Sequence, residues 1–271
     1  MNTQDNIDFM KILFFGDIVG SPGREALKKV LPSWKKEYKS DLVIANGENA
    51  AHGRGITKET LTEILKAGVD LVTLGDHTWD KKEVVKLLED GDLPLLRPAN
   101  FPKGLPGRGY CFVQVGVYNV LIINLIGRVF MHQQYDDPFK IVDEILEEEE
   151  EKAEAIIVDW HTEATSEKVC LGWHLDGRVS AVLGTHTHIP TADGRILPQG
   201  TAYISDVGMV GARDSSLGSD KDIALKIFLT QINQRMEIGQ GPVRVDAVLV
   251  EIDKSGKAVN IKQLQKTVEI G

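Results

Sequence analysis

The chain has 271 residues, a formal net charge of -9 and 42% hydrophobic residues. No stretch reaches the ~20 consecutive apolar residues of a membrane span, and the acidic balance speaks against an extended nucleic-acid surface. Two cysteines, Cys111 and Cys170, make no disulfide framework and fit a reducing, cytoplasmic setting; the polar start from Met1 to Asp8 lacks a secretory signal pattern.

Residues 1–10 are expected to form a disordered or extended tail. Lys11 to Phe15 is a short apolar run, expected as a buried strand with Asp17 just past its carboxyl end, where open α/β sheets place ligands. The glycines between Gly16 and Gly23 have neither dinucleotide-fingerprint nor P-loop spacing. Arg24 to Tyr38 puts Leu27, Val30, Leu31 and Trp34 on one stripe of a helix. Asp41 to Ala45 is the second expected strand, followed by Glu48 and Asn49. Thr57 to Ala67 reads as a helix between a threonine N-cap and Gly68. Asp70 to Leu74 is the third strand and delivers Asp76 and His77, before a helical stretch from Asp80 to Leu88. Three successive βα units thus each leave an oxygen ligand at one edge of a parallel sheet.

A Pro/Gly-rich loop follows from Leu95 to Gly109, in which Arg97 and Asn100 are weak candidates for substrate binding. His52, in the turn after Asn49, is a third. Tyr110 to Val115 and Tyr118 to Leu125 read as a hairpin around Gly116. After a loop from Gly127 to Asp137, Phe139 to Lys152 reads as a helix whose run Glu147 to Glu151 is a solvated face. Ala155 to Trp160 is a buried strand with His161 at its end and Glu163 two residues beyond. Thr165 to Leu171 is a short helix. Ala181 to Gly184 then runs into His186 and His188; on an extended segment these share a face and reach one site. Thr201 to Ser205 is expected as a strand, Asp206 to Gly211 as a glycine-rich turn and Asp222 to Gln234 as a helix. Val243 to Ile252 and Lys257 to Gln263 close the chain as an antiparallel pair. This order predicts two sheets packed face to face with helices outside.

Collected, the strand ends offer Asp17, Glu48, Asn49, Asp76, His161, His186 and His188. Such an oxygen and imidazole set suits two borderline first-row ions, such as Fe, Mn, Zn or Co, better than one Mg or Ca. Two ions ~3.5–4 Å apart can clamp a phosphoryl group for attack by an activated hydroxide. His77, beside a ligand but outside the set, is placed to protonate the leaving alkoxide. The cysteines are expected as small core hydrophobes, and His132 and His174 as surface or packing residues.

The order Asp, Glu-Asn, Gly-Asp-His, His, His-x-His resembles that of the calcineurin-like metallophosphoesterases. Closer still, GDIVGSPGR (16–24), NGENAAHG (46–53), HTWDKKE (77–83), RPANFP (97–102), ATSEK (164–168) and GTHTH followed by TAD resemble the bacterial YmdB phosphodiesterase family. The resemblance implies a four-layer α/β/β/α sandwich of mixed sheets as a single domain over residues 11–271. It also implies a binuclear centre, Fe foremost with Mn, Zn or Mg as alternatives. The substrates would be cyclic nucleotides, 2′,3′-cyclic AMP and also 3′,5′-cyclic AMP, and the chain would form a homo-oligomer. Matched by residue, Asp17, Glu48, Asn49 and His188 would hold one metal. Glu48 as bridge, Asp76, His161 and His186 would hold the other, with His77 as proton donor. The family pattern has Gly-Asn-His where this chain has Gly75-Asp76-His77, so the site carries one more negative charge. Phosphomonoesters are alternative substrates, since no loop residue decides among them; Asp76 leaves open a metal-binding regulator or RNA-associated protein with slow turnover.

Overall fold

Runs of two to eleven residues, mostly apolar and punctuated by Gly and Pro, form fourteen strands among the described residues, which in this computed structural model are 9–270. In chain order the elements are β1 (Met10–Phe15), β2 (Asp17–Ile18), α1 (Gly20–Tyr38), β3 (Leu42–Asn46), α2 (Lys58–Ala67), β4 (Leu71–Thr73), α3 (Val84–Glu89) and β5 (Leu95–Leu96). There follow β6 (Tyr110–Val115), β7 (Tyr118–Ile126), α4 (Pro138–Glu149), β8 (Ala155–His161), α5 (Thr165–His174) and β9 (Ala181–Thr185). The chain ends with β10 (Arg195–Ile196), β11 (Ala202–Ile204), β12 (Met209–Ala212), α6 (Lys221–Thr230), β13 (Val243–Ile252) and β14 (Ala258–Val268).

Two mixed sheets result. One runs β2-β12-β13-β1-β3-β4-β5, with β14 also paired to β13; the other runs β10-β11-β9-β8-β7-β6. Their inner faces meet through Ile12, Phe14 and Ile44 on one side and Ile122, Ile157 and Leu183 on the other. Alternate residues of β1 and β3, such as Leu13 and Val43, pack outward against Leu27, Leu31 and Trp34 of α1 and Leu61 of α2. Ile123 and Val158 pack outward against Val142 and Leu146 of α4 and Leu171 of α5. This is the four-layer α/β/β/α sandwich. Strands buried on both faces explain why their sequences are continuous apolar runs rather than alternations.

Within each sheet the site-bearing strands are parallel: β1, β3 and β4 in one, β7, β8 and β9 in the other. Their carboxyl ends therefore share an edge. Thr57 caps α2 as expected, accepting from the Thr60 amide while Thr60 Oγ1 accepts from the Thr57 amide. Four expectations need correction. Part of the glycine-rich stretch from Asp206 to Gly211 enters strand β12, because Met209 to Ala212 is buried and paired between β2 and β13. The stretch from Asp80 to Leu88 is a single 3-10 turn (Thr78–Asp80) followed by the short α3. Cys170 is exposed on α5, whereas Cys111 is buried. Of the expected tail, Met10 is buried in β1; residues 1–8 lie outside the described residues. No described helix is long and apolar enough to cross a membrane.

Candidate metal centre

Five strand ends converge on one cluster. Glu48 Oε1 lies 3.2 Å from His161 Nε2, and Asp76 Oδ1 lies 3.1 Å from the same nitrogen. His186 Nδ1 is 3.2 Å from Asp76 Oδ1 and 3.0 Å from His161 Nε2. These four residues present ligand atoms that all fall within 4.8 Å of one another. On the other side of Glu48, Asn49 Nδ2 donates to Glu48 Oε1 at 3.1 Å and lies 3.2 Å from His188 Nε2, which is 3.7 Å from Asp17 Oδ1. Glu48 thus touches both groups of side chains, and the seven residues named from sequence come together. Gly75 makes this possible: a Cβ there would collide with the His161 ring and Glu48 Oε2.

His186 and His188 reach the cluster by a different route from the one expected. They lie beyond β9, and both have left-handed φ, 97° and 64°. Strand alternation therefore does not apply: the His186 ring goes to Asp76 and His161, and the His188 ring to Asn49 and Asp17. The turn is clamped from below. Buried Lys168 donates to the Thr185 carbonyl at 2.9 Å and to Asp206 Oδ2 at 2.7 Å, and Asp206 also accepts from the Thr187 amide and hydroxyl. The His186 amide donates to Asp17 Oδ2 and Arg244 donates to the His188 carbonyl. Non-glycine residues hold such conformations only where their surroundings over-determine them.

Each imidazole has its outward nitrogen engaged. Thr185 Oγ1 donates to Asp159 Oδ1 at 2.7 Å, so its lone pair accepts from His161 Nδ1 at 2.9 Å. Glu163 Oε2 lies 3.2 Å from His186 Nε2, and the Leu217 carbonyl accepts from His188 Nδ1 at 2.9 Å. This leaves His161 Nε2, His186 Nδ1 and His188 Nε2 facing the carboxylates, which is how metal-ligating histidines are held. Buried Asp17 Oδ1 has no hydrogen-bond partner, and such an atom asks for a cation. The residues fit a metal.

The electrostatics agree. Burial works against charge on His161, yet the Glu48, Asp76 and Asp17 carboxylates raise its pKa well above the usual imidazole range. Burial also opposes the Asp76 charge, but hydrogen bonds from His161 and His186 hold that carboxyl far below its ordinary value. Burial raises Asp17 against the pull of His188 and His161. The cluster is an anionic pocket with positive charge in demand.

His77 sits at the rim. Its amide donates to Glu48 Oε2 at 3.0 Å, and its Nδ1 lies 3.3 Å from Asp80 Oδ2 and 3.7 Å from Asp76 Oδ2. The weak substrate candidates fare differently. Arg97 is buried and donates to the carbonyls of Pro98, Leu105 and Pro106, and Asn100 is buried and joined to Ile126 and Asp136. Both staple the 97–109 loop, spending these hydrogen bonds on backbone carbonyls rather than on a phosphate. His52 is exposed in a left-handed turn. Sequence reading passed over Asp159, Thr185 and Asp206; for Lys168, the ATSEK motif was the available signal.

The chain matches the family of YmdB-like proteins over residues 13–264. It belongs to that family. It is 48% identical over 257 residues to a protein of Bacillus subtilis (strain 168) named 2′,3′-cyclic-nucleotide 2′-phosphodiesterase, covering 94% of this chain and 96% of that one. The crystal structure of a Thermus thermophilus protein, 45% identical, superposes with a TM-score of 0.90 over 95% of this chain and 99% of the other. That of a Mycoplasma pneumoniae phosphatase, 32% identical, also gives 0.90, over 96% and 94%. As a member of the YmdB-like family with relatives of this kind, the chain is a hydrolytic enzyme of the phosphoesterase type, with a cluster able to bind metal.

Proposed function

We propose that the protein hydrolyses cyclic nucleotides, 2′,3′-cyclic AMP first and 3′,5′-cyclic AMP as a second substrate, at a binuclear metal centre. The observation that carries this is the set of three imidazoles, each held at its outer nitrogen and aimed at buried carboxylates, one of which has an unpartnered oxygen. Asp17, Glu48, Asn49 and His188 would hold one ion and Glu48, Asp76, His161 and His186 the other. Asn49 faces His188 with its amide nitrogen; rotation of the amide exchanges it for the oxygen ligand. Iron is the first choice for this donor set, with Mn, Zn and Mg as alternatives.

Two bound divalent ions supply Lewis acidity toward a phosphoryl group and acidify water. The chain's own residues do the rest. Glu48 lies between the subsites and keeps both sets in register. The Asp159–Thr185 pair fixes the His161 tautomer. His77 holds a proton at its free Nε2, with Asp80 beside Nδ1 to set the ring, and delivers it to the departing alkoxide of the ester. Free Cys111 and Cys170 suit a cytoplasmic protein, and the apolar face of α6 suits a homo-oligomer.

The test is metal content of protein purified without chelator, measured beside hydrolysis of both cyclic nucleotides. Close to two ions per chain are expected, with His77→Ala lowering turnover by about 10²–10⁴ while metal content stays unchanged. Two ions with no turnover on either nucleotide would favour a metal-binding regulator, the reading Asp76 leaves open. Less than one ion under all loading conditions would overturn the binuclear centre.

A further inference from the structure

The loop 127–137 between β7 and α4 takes no part in the reading above, yet both its ends stand at the cluster. At one end the Gly127 amide donates to the His161 carbonyl at 2.9 Å. At the other, Tyr135 stacks on Phe101 with centroids 5.1 Å apart, and Phe101 packs on Trp79, two residues beyond His77. Met131 joins the same aromatic group. The Tyr135 hydroxyl is buried without a hydrogen-bond partner. The loop therefore spans the rim of the site from His161 to the His77 turn.

Its first turn is held by hydrogen bonds. The carboxylate of buried Glu167 accepts from the Arg128 and Val129 amides, each at 3.1 Å, and from the Thr162 hydroxyl at 2.9 Å. Phe130, next in the chain, is in the left-handed region with φ 63°, and the residue is 84% exposed. Two unfavourable choices coincide here: a bulky residue in a strained backbone conformation, and a large aromatic ring left in water. Strain held by its surroundings clusters at ligand clamps. A pre-set ring also loses little freedom when it meets a ligand.

We propose that Phe130 is the platform on which the nucleobase of the substrate stacks while the phosphodiester occupies the cluster. This rests on the cyclic-nucleotide reading. Every base has a π-face, so an exposed ring selects nucleotides over esters lacking a base, without choosing among bases. The role of Glu167 is then to fix the angle of the ring.

Steady-state kinetics of wild type, Phe130→Ala and Phe130→Trp on 2′,3′-cyclic AMP and on glycerol 1,2-cyclic phosphate, which has no base, form the test. Phe130→Ala is expected to raise KM for cyclic AMP relative to the base-free ester by about 5- to 150-fold, the range for loss of one stacked base. The change falls on KM rather than kcat, and Phe130→Trp restores the wild-type ratio. An unchanged ratio in Phe130→Ala, or equal losses on both esters, overturns the platform. Equilibrium binding of 3′-AMP to the same three proteins separates this from the larger reading. If wild type hydrolyses neither ester, the cyclic-nucleotide reading fails, while weaker 3′-AMP binding by Phe130→Ala still supports the platform and equal binding overturns it.

Discussion

Asp76 Oδ1 lies 3.1 Å from His161 Nε2 and 3.2 Å from His186 Nδ1, at the position where the resemblance to the family leads us to expect an asparagine. An amide in its place offers the same oxygen with one negative charge fewer, so a metal held there would be a stronger Lewis acid. Asp76→Asn is expected to raise kcat on 2′,3′-cyclic AMP with metal content unchanged; a fall in kcat at full metal loading would show that the carboxylate is used. Thr185 acts one bond further out. It joins His161 Nδ1 to Asp159, whose carboxyl burial pushes up to about 6 against the His161 charge and the hydroxyls of Thr73 and Thr185. Thr185→Val removes the acceptor that selects the His161 tautomer. Metal affinity, read by competition with a chromogenic chelator, should fall by about 10- to 100-fold, and Thr185→Ser should restore it.

Among the elements, the two helices on the outer face of the smaller sheet show how surface charge holds position. Asp143 of α4 accepts from His174 of α5 at 2.8 Å and from Arg178 just after it at 2.6 Å. Partial burial opposes the Asp143 charge, but these two donors hold its pKa below the ordinary value. A carboxyl with a lowered folded-state pKa contributes stability above its unfolded pKa and loses it as pH falls through the folded one. Asp143→Asn should therefore lower the urea midpoint at neutral pH, with the difference shrinking toward pH 3. The effect will be modest and will weaken with salt, because about a third of each side chain is open to solvent. Most elements were legible because their periodicity is local: the α1 stripe, the capped α2, and the hairpin around Gly116. Part of an expected turn became β12 because its pairing partners, β2 and β13, are remote in sequence.

For the molecule as a whole, α6 leaves most of its apolar side chains uncovered by the described residues. Of the helix, only Ala224 is buried, while Phe228 is 82% and Leu229 75% exposed, with Leu225, Ile232 and Met236 beside them. Those five side chains leave on the order of 600 Å² of apolar surface per chain, and two such faces together approach the ~1,200 Å² at which stable interfaces begin. A second copy would match this area from both sides, as the proposed homo-oligomer requires. Phe228→Glu should reduce the mass seen by light scattering to that of one chain, without changing the circular dichroism. An unchanged mass would remove α6 from the interface.

By itself the sequence determined the layer order, the identity of the seven clustered side chains and the edge at which they meet. Parallel strands buried on both faces are written as apolar runs, and whatever follows such runs lies at one end of the sheet. Tertiary structure alone decided how those side chains are aimed. His186 and His188 look like strand neighbours but occupy left-handed turns, because Lys168 and Asp206, buried and distant in sequence, grip the backbone between them. Arg97 and Asn100 look available for a phosphate but are taken up by carbonyls of their own loop and its neighbours. Phe130 looks like one more apolar residue, and only the hold of Glu167 on its neighbours turns it outward. Periodicity is a property of a few consecutive residues, whereas the direction of a side chain beyond a strand end depends on hydrogen bonds to residues remote in the chain.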